Sequence, residues 1–187
     1  TRGAEWLDAV RQCDAILHVV RGFASPAVFH IEGSVDPARD LELVETELLL
    51  ADLDLVEKRL ERMAKEPKKG DSQRQREQAI LERFKAMLED EKSLRTVELS
   101  ETDDKILKSL QFLTLKPMVV VFNVGEDLDA ARSELGDVKQ RLEKNGATTV
   151  FLSAAIEEEL AELDDDEREA FMADLGLDEP AAHRLSR

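Results

Sequence analysis

The run Met118-Val119-Val120-Val121-Phe122 is an unbroken apolar stretch closed by Asn123, and a carboxylate, Glu126, follows three positions later. A short continuous apolar run of this kind reads as a strand buried in a parallel sheet. Ligands of open α/β sheets sit just beyond the carboxyl ends of such strands. Asn123 and Glu126 therefore stand at a position from which a bound molecule would be read.

The flanking pattern builds an α/β chain around that strand. A helix is expected over Glu5 to Gln12 and a short buried strand over Ala15 to Val20. Gly22 to Asp36 is a loop, and Asp36-Pro37 opens a helix, with Asp as N-cap and Pro at the first helical position. Leu41, Val44, Leu48, Ala51 and Leu55 follow 3-4 spacing, and Val56, Leu60 and Met63 continue the seam after a one-residue slip. That helix should end near Pro67. A second helix with Ile80, Leu81, Phe84, Met87 and Leu88 on one face completes an antiparallel helical hairpin. A third helix is expected from Glu101 to Leu113, capped by Ser100. After the 118–122 strand come a helix over Leu128 to Lys144 stopped by Asn145-Gly146, a strand over Thr148 to Leu152, a turn at Ser153-Ala154-Ala155 and an acidic helix from Ile156. Strand, helical insertion, strand, helix, strand, helix is the order of an α/β sheet carrying an inserted arm.

Composition narrows the function classes. The 187 residues carry a net charge of −16, which disfavours a general nucleic-acid binder. Charge is segregated, however. Lys58 to Arg76 holds eight Lys or Arg against three acids, and 153–179 holds twelve acids against one Arg. Cys13 is the single cysteine, so an intramolecular disulfide and a cysteine-based metal site are excluded, and its apolar neighbourhood suggests a buried structural thiol. No apolar run approaches the ~18 residues of a membrane span, and a cytoplasmic setting is expected. No pair of His, Cys or acidic positions has metal-ligand spacing. The chain opens on Thr1 and reads as a piece of a longer protein.

Several linked segments resemble the YchF/Obg-like ATPases, a branch of the P-loop NTPases. They are Cys13 to Phe23, Phe29 to Asp40, Glu45 to Leu53, Phe112 to Pro117 leading into the apolar strand, and Ile156 to Leu163. The resemblance implies the C-terminal half of a G domain, with a mostly parallel sheet and an inserted coiled-coil arm. Residues 1–35 would belong to the G domain, 36–113 to the arm and 114–187 to the G domain again. Guanine-specific relatives carry Asn-Lys-x-Asp at the base-reading strand, where the Asp accepts from guanine. This chain has Asn123-Val124-Gly125-Glu126, and the family that carries Asn-x-x-Glu prefers ATP to GTP. Asn123, Val124 and Glu126 would then meet the base, and Ser153 and Ala154 match the motif whose backbone borders it. Ala155 stands where many relatives have Lys.

The resemblance also implies a histidine on a mobile loop that orients the attacking water, and His30 is the matching residue. It further implies a ribosome-associated switch. The phosphate-binding loop and the Mg²⁺-binding switch residues of the family lie upstream of Thr1, and its TGS domain lies beyond Arg187. Mg²⁺ would therefore be held by residues outside this chain, and hydrolysis would belong to the full-length parent. The basic hairpin tip, with Lys65, Lys68, Lys69, Arg74 and Arg76, is a candidate contact for RNA or the ribosome. Alternatives stay open at this stage. Asn123 also suits a cap for the next turn, Glu126 a solvated helix-start acid, and the basic tip a solvated turn. The whole chain could instead serve as a non-catalytic helical-arm module docking a protein or rRNA.

Overall fold

In the computed structural model, which describes residues 2–65, 71–181 and 183, the chain divides into two compact units. One comprises 1–16 and 41–118, the other 17–40 and 119–187. The element order is α1 (Arg2–Arg11), β1 (Ile16–Gly22), α2 (Pro37–Lys65), α3 (Ser72–Glu89), α4 (Glu101–Leu107), β2 (Met118–Val124), α5 (Leu128–Glu134), α6 (Gly136–Lys144), β3 (Thr148–Leu152), α7 (Ala154–Glu162) and α8 (Asp165–Asp174), with single 3-10 turns at Leu94–Thr96 and Lys108–Leu110.

In the first unit the seam of α2 packs with α3. Val56 and Met63 join Leu81, Phe84, Leu88, Leu94, Leu107 and Phe112 in one core, where Phe84 and Phe112 meet edge to face at 5.4 Å. Arg59 donates two hydrogen bonds to Glu77, Lys85 pairs with Glu57, and Arg74 donates to the Met63 carbonyl. These contacts ascend α3 as they descend α2. Asp52, at an inward position of α2, is fully buried. Its carboxylate accepts from Arg11 Nη1 (3.1 Å), the Leu113 and Thr114 backbone N–H groups (3.0 and 2.7 Å) and Thr114 Oγ1 (2.9 Å). A buried charge needs this many donors to offset its desolvation.

The second unit holds the body of a three-stranded sheet in the order β1-β2-β3, with β2 and β3 parallel and Asn123 opposite Leu152. Phe122 and Phe151 stack at 4.7 Å, and Leu142, Ile156 and Leu160 are buried in the same unit. The strand expected over 118–122 runs two residues further, so Asn123 closes the ladder rather than opening the loop.

Several expectations are corrected. The third helix gives way to a 3-10 turn after Leu107 and stops at Gln111, whose φ of +50° is incompatible with continuing it. The helix over 128–144 breaks at Leu135, where ψ is 11°, and continues as α6. Ala154 and Ala155 belong to the first turn of α7 rather than to a separate turn, because Ser153 caps that helix. A second acidic helix, α8, starts at its own cap, Asp164. Cys13 is exposed, since it follows the last turn of α1. Only Val20 of β1 is buried, while Leu17 and Val19 are 58% and 59% exposed, because alternate strand residues face opposite sides.

Replacing Asp52 with Ala strands two backbone donors and Thr114 Oγ1, and takes from the Arg11 guanidinium its anionic partner. The expected loss is about 3–5 kcal/mol of stability. Urea unfolding followed by circular dichroism measures it, and a change under about 0.5 kcal/mol would refute the role given to Asp52.

Candidate functional site

The carboxyl ends of β2 and β3 open into a cleft of about 360 Å³ within the second unit. It is lined by Phe23, Ala24, Asn123, Val124, Gly125, Glu126, Ser153, Ala154 and Ala155. Five of these, Asn123, Val124, Glu126, Ser153 and Ala154, are the base-binding residues expected from sequence. They converge because parallel strands in register release their chains at the same edge.

Local hydrogen bonds set each side chain. Asn123 Oδ1 accepts the Ala154 backbone N–H at 3.0 Å, tying the end of β2 to the start of α7. Asn123 therefore spans two strand ends and does not cap the turn that follows it. With the carbonyl oxygen so engaged, its NH₂ group carries the donors left for a ligand. Ser153, almost fully buried, caps α7 through its hydroxyl. Asp127, not Glu126, caps α5 by accepting from the Ala130 N–H at 2.9 Å. The Glu126 side chain is exposed at the cleft mouth. Val124 is largely buried and contributes an apolar wall. A Cβ on Gly22 would stand 2.9 Å from Val124 Cγ1 and 3.5 Å from the Asn123 carbonyl oxygen, so the missing side chain at 22 leaves room for that wall.

Phe23 and Ala24 are lining residues that the sequence did not single out. Arg21 organises them. Its guanidinium lies 4.7 Å from the Phe23 ring centroid and donates to the carbonyls of Phe23, Ser25 and Val28. The available signal was the Arg-Gly-Phe sequence directly after an apolar strand.

His30 is not among the cleft residues. Its imidazole is largely covered, with Nε2 2.9 Å from Asp40 Oδ2. His18 is partly buried with Nδ1 lacking a partner, and burial lowers its pKa against the pull of Asp40. At the basic tip Lys65 is exposed and 3.8 Å from Glu61. Lys68 and Lys69 lie outside the described residues. Arg74 binds the Met63 carbonyl, and Arg76 pairs with Asp103, holding that carboxyl down to about 2. Both arginines therefore tie helices of their own unit together. Among the described residues no group of three or more His, Cys, Asp or Glu is placed to hold a metal ion, and no helix is long and apolar enough to cross a membrane.

No family profile matches the chain. It is 41% identical over 185 residues to the ribosome-binding ATPase YchF of Escherichia coli O157:H7, covering 99% of this chain and 51% of that protein. It is 38% identical to the ribosome-binding ATPase YchF of Bacillus subtilis strain 168, covering 98% and 51%. It is 35% identical to Obg-like ATPase 1 of Oryza sativa subsp. indica, covering 92% and 45%. The solved structure of the Schizosaccharomyces pombe YchF GTPase superposes with a TM-score of 0.75 at 33% identity, over 92% of this chain and 48% of that one. The chain thus spans about half the length of the relatives it matches.

The bond between Asn123 and Ala154 is open to direct test. Asn123→Ala should cost about 1 kcal/mol and speed hydrogen exchange at the Ala154 amide by roughly fivefold. Exchange measured by NMR checks this, and an unchanged Ala154 rate would break the assignment.

Proposed function

Because the chain belongs to the YchF/Obg-like ATPase family, we propose that the cleft at the ends of β2 and β3 holds the base of ATP, and of GTP less well. The observation that carries this reading is the convergence of Asn123, Val124, Glu126, Ser153 and Ala154 on one cleft. Adenine presents an acceptor at N1 and a donor at its 6-amino group, whereas guanine presents donors at N1 and its 2-amino group. The donors left on Asn123, the apolar Val124 wall and the Phe23 ring suit a flat base with few donors. Glu126, one methylene longer than the Asp of guanine readers and exposed, is poorly placed to fix the two guanine donors at once.

His30 is the group that orients water for attack on the γ-phosphate, since a neutral imidazole can accept a proton near neutral pH. The loop around it swings this ring toward the phosphates when nucleotide is bound. Phosphates and Mg²⁺ are held by residues of the full-length protein outside this chain, and Mg²⁺ supplies charge neutralisation at the transferring group. Residues 36–113 serve as the inserted coiled-coil arm, and 1–35 with 114–187 as parts of the G domain. Hydrolysis changes the arm's engagement with the ribosome in the cytoplasm, and Lys65, Lys68 and Lys69 offer the contact to ribosomal RNA. Arg74 and Arg76 contribute less there, because their own helices already engage them.

In the full-length protein, His30→Ala should lower ATP turnover by about 10²-fold or more while leaving nucleotide affinity intact. Unchanged turnover would remove His30 from the mechanism. The double variant Val124→Lys with Glu126→Asp should move the preference toward GTP in a competition titration. A preference that stays with ATP would displace the base from this cleft.

A further inference from the structure

The loop that carries His30 is turned inside out. Phe29 and Ile31 are 83% and 89% exposed and Val28 is half-exposed, while the polar imidazole between them is the covered group. An apolar–polar–apolar run normally buries in the opposite sense. Something must hold the ring inward.

Both ring nitrogens are engaged. The Glu32 backbone N–H points to Nδ1 at 3.3 Å, so Nδ1 carries a lone pair and accepts. Nε2 then carries the proton and donates to Asp40 Oδ2 at 2.9 Å. The tautomer follows from the partners. An imidazole bound in this way has no lone pair free for a water molecule.

Asp40 is itself clamped. Its other oxygen, Oδ1, receives Arg39 Nε and Nη2 at 3.0 and 2.8 Å. Arg39 also donates to Ser34, to the hydroxyl at 3.0 Å and to the carbonyl at 2.8 Å. The Asp40 N–H bonds the Asp36 carbonyl and the Arg39 N–H bonds the Asp36 carboxylate, which fixes both residues in the first turn of α2. The turn closes where the Gly33 N–H donates to the His30 carbonyl, with Gly33 at φ +76°. The network therefore joins the loop at residues 30, 34 and 36 to one turn of helix.

We propose that Asp40, clamped by Arg39, is a latch on His30. It keeps the imidazole in the Nε2–H tautomer with Nδ1 occupied, and His30 takes up a water molecule only after Asp40 lets go. Asp40 is a positioning residue that sets how often the ring is available. The exposure of Phe29 and Ile31 is the opposing tendency, because any loop conformation that covers them competes with the latched one. The effect on hydrolysis rests on the reading of His30 given above, whereas the latch itself does not.

Two measurements separate these claims. Long-range ¹H–¹⁵N NMR of the histidine rings in this chain reads the tautomer directly. His30 should show a protonated Nε2 and a bare Nδ1, and Asp40→Ala should collapse this to an averaged signal. An averaged signal in the unaltered chain, or an unchanged pattern in Asp40→Ala, overturns the latch. In the full-length protein, Asp40→Ala should raise the single-turnover rate of ATP hydrolysis by about tenfold, the value of one charge-assisted hydrogen bond. Arg39→Ala, which removes the clamp and spares Asp40, should act in the same direction by less. A rate unchanged, or lowered toward that of His30→Ala, overturns the latch as a gate. If His30→Ala itself leaves the rate intact, the catalytic reading fails while the tautomer result still decides the latch.

Discussion

The first unit is organised around one buried carboxylate. Asp52 sits on a helix rich in acidic residues, yet water does not reach it. It gathers Arg11 from the end of α1 and the Leu113-Thr114 backbone from the segment that leads into β2. Arg11 extends the same cluster by donating to the carbonyls of Ala51 and Gln111. Three distant stretches of sequence are thus fixed by one charge. Hydrophobic packing alone would not specify this junction, because aliphatic contacts tolerate sliding whereas a carboxylate with four aimed donors does not. The left-handed Gln111 belongs to the same arrangement: it ends the preceding helical segment and brings the following backbone N–H groups round to the acid.

The cleft depends on a smaller version of the same device. Parallel pairing of β2 with β3 brings two chain ends to one edge, and a side-chain amide then joins them across the gap. Its walls come from strand ends and a helix start, while its outer side comes from the loop that Arg21 staples. On the function proposed above, rigid parts would meet the base while a loop carries His30. This division suits a site in which recognition is constant and chemistry is conditional.

Much of this was legible in the sequence because it rests on local periodicity. The apolar run at 118–122 declared a buried strand, Thr148 to Leu152 fell within its observed bounds, and Asp36-Pro37 marked the start of α2. The breaks at Gln111 and Leu135 were not legible, since neither residue is a recognised helix breaker and each is imposed by tertiary position. Asp52 and Asp40 were missed for a related reason. A carboxylate on an acidic helix looks like part of a wet face, and only a fold that supplies partners 61 residues away, as Leu113 is from Asp52, can make it a core residue. The basic tract shows the converse. Counted as free charge it suggested a surface for polyanions, yet Arg59, Arg74 and Arg76 are already bound within their own unit.

Gly22 carries a different kind of information. The space beside Val124 exists because one residue of β1 has no side chain, and a methyl group there would press on that wall and approach the Asn123 carbonyl. The shape of this cleft can therefore drift without the loss of a single hydrogen-bonding group. A one-carbon insertion behind the wall would reshape the opening while every polar contact remained in place. Surveys that score only the polar signature of such sites would register no difference between the two.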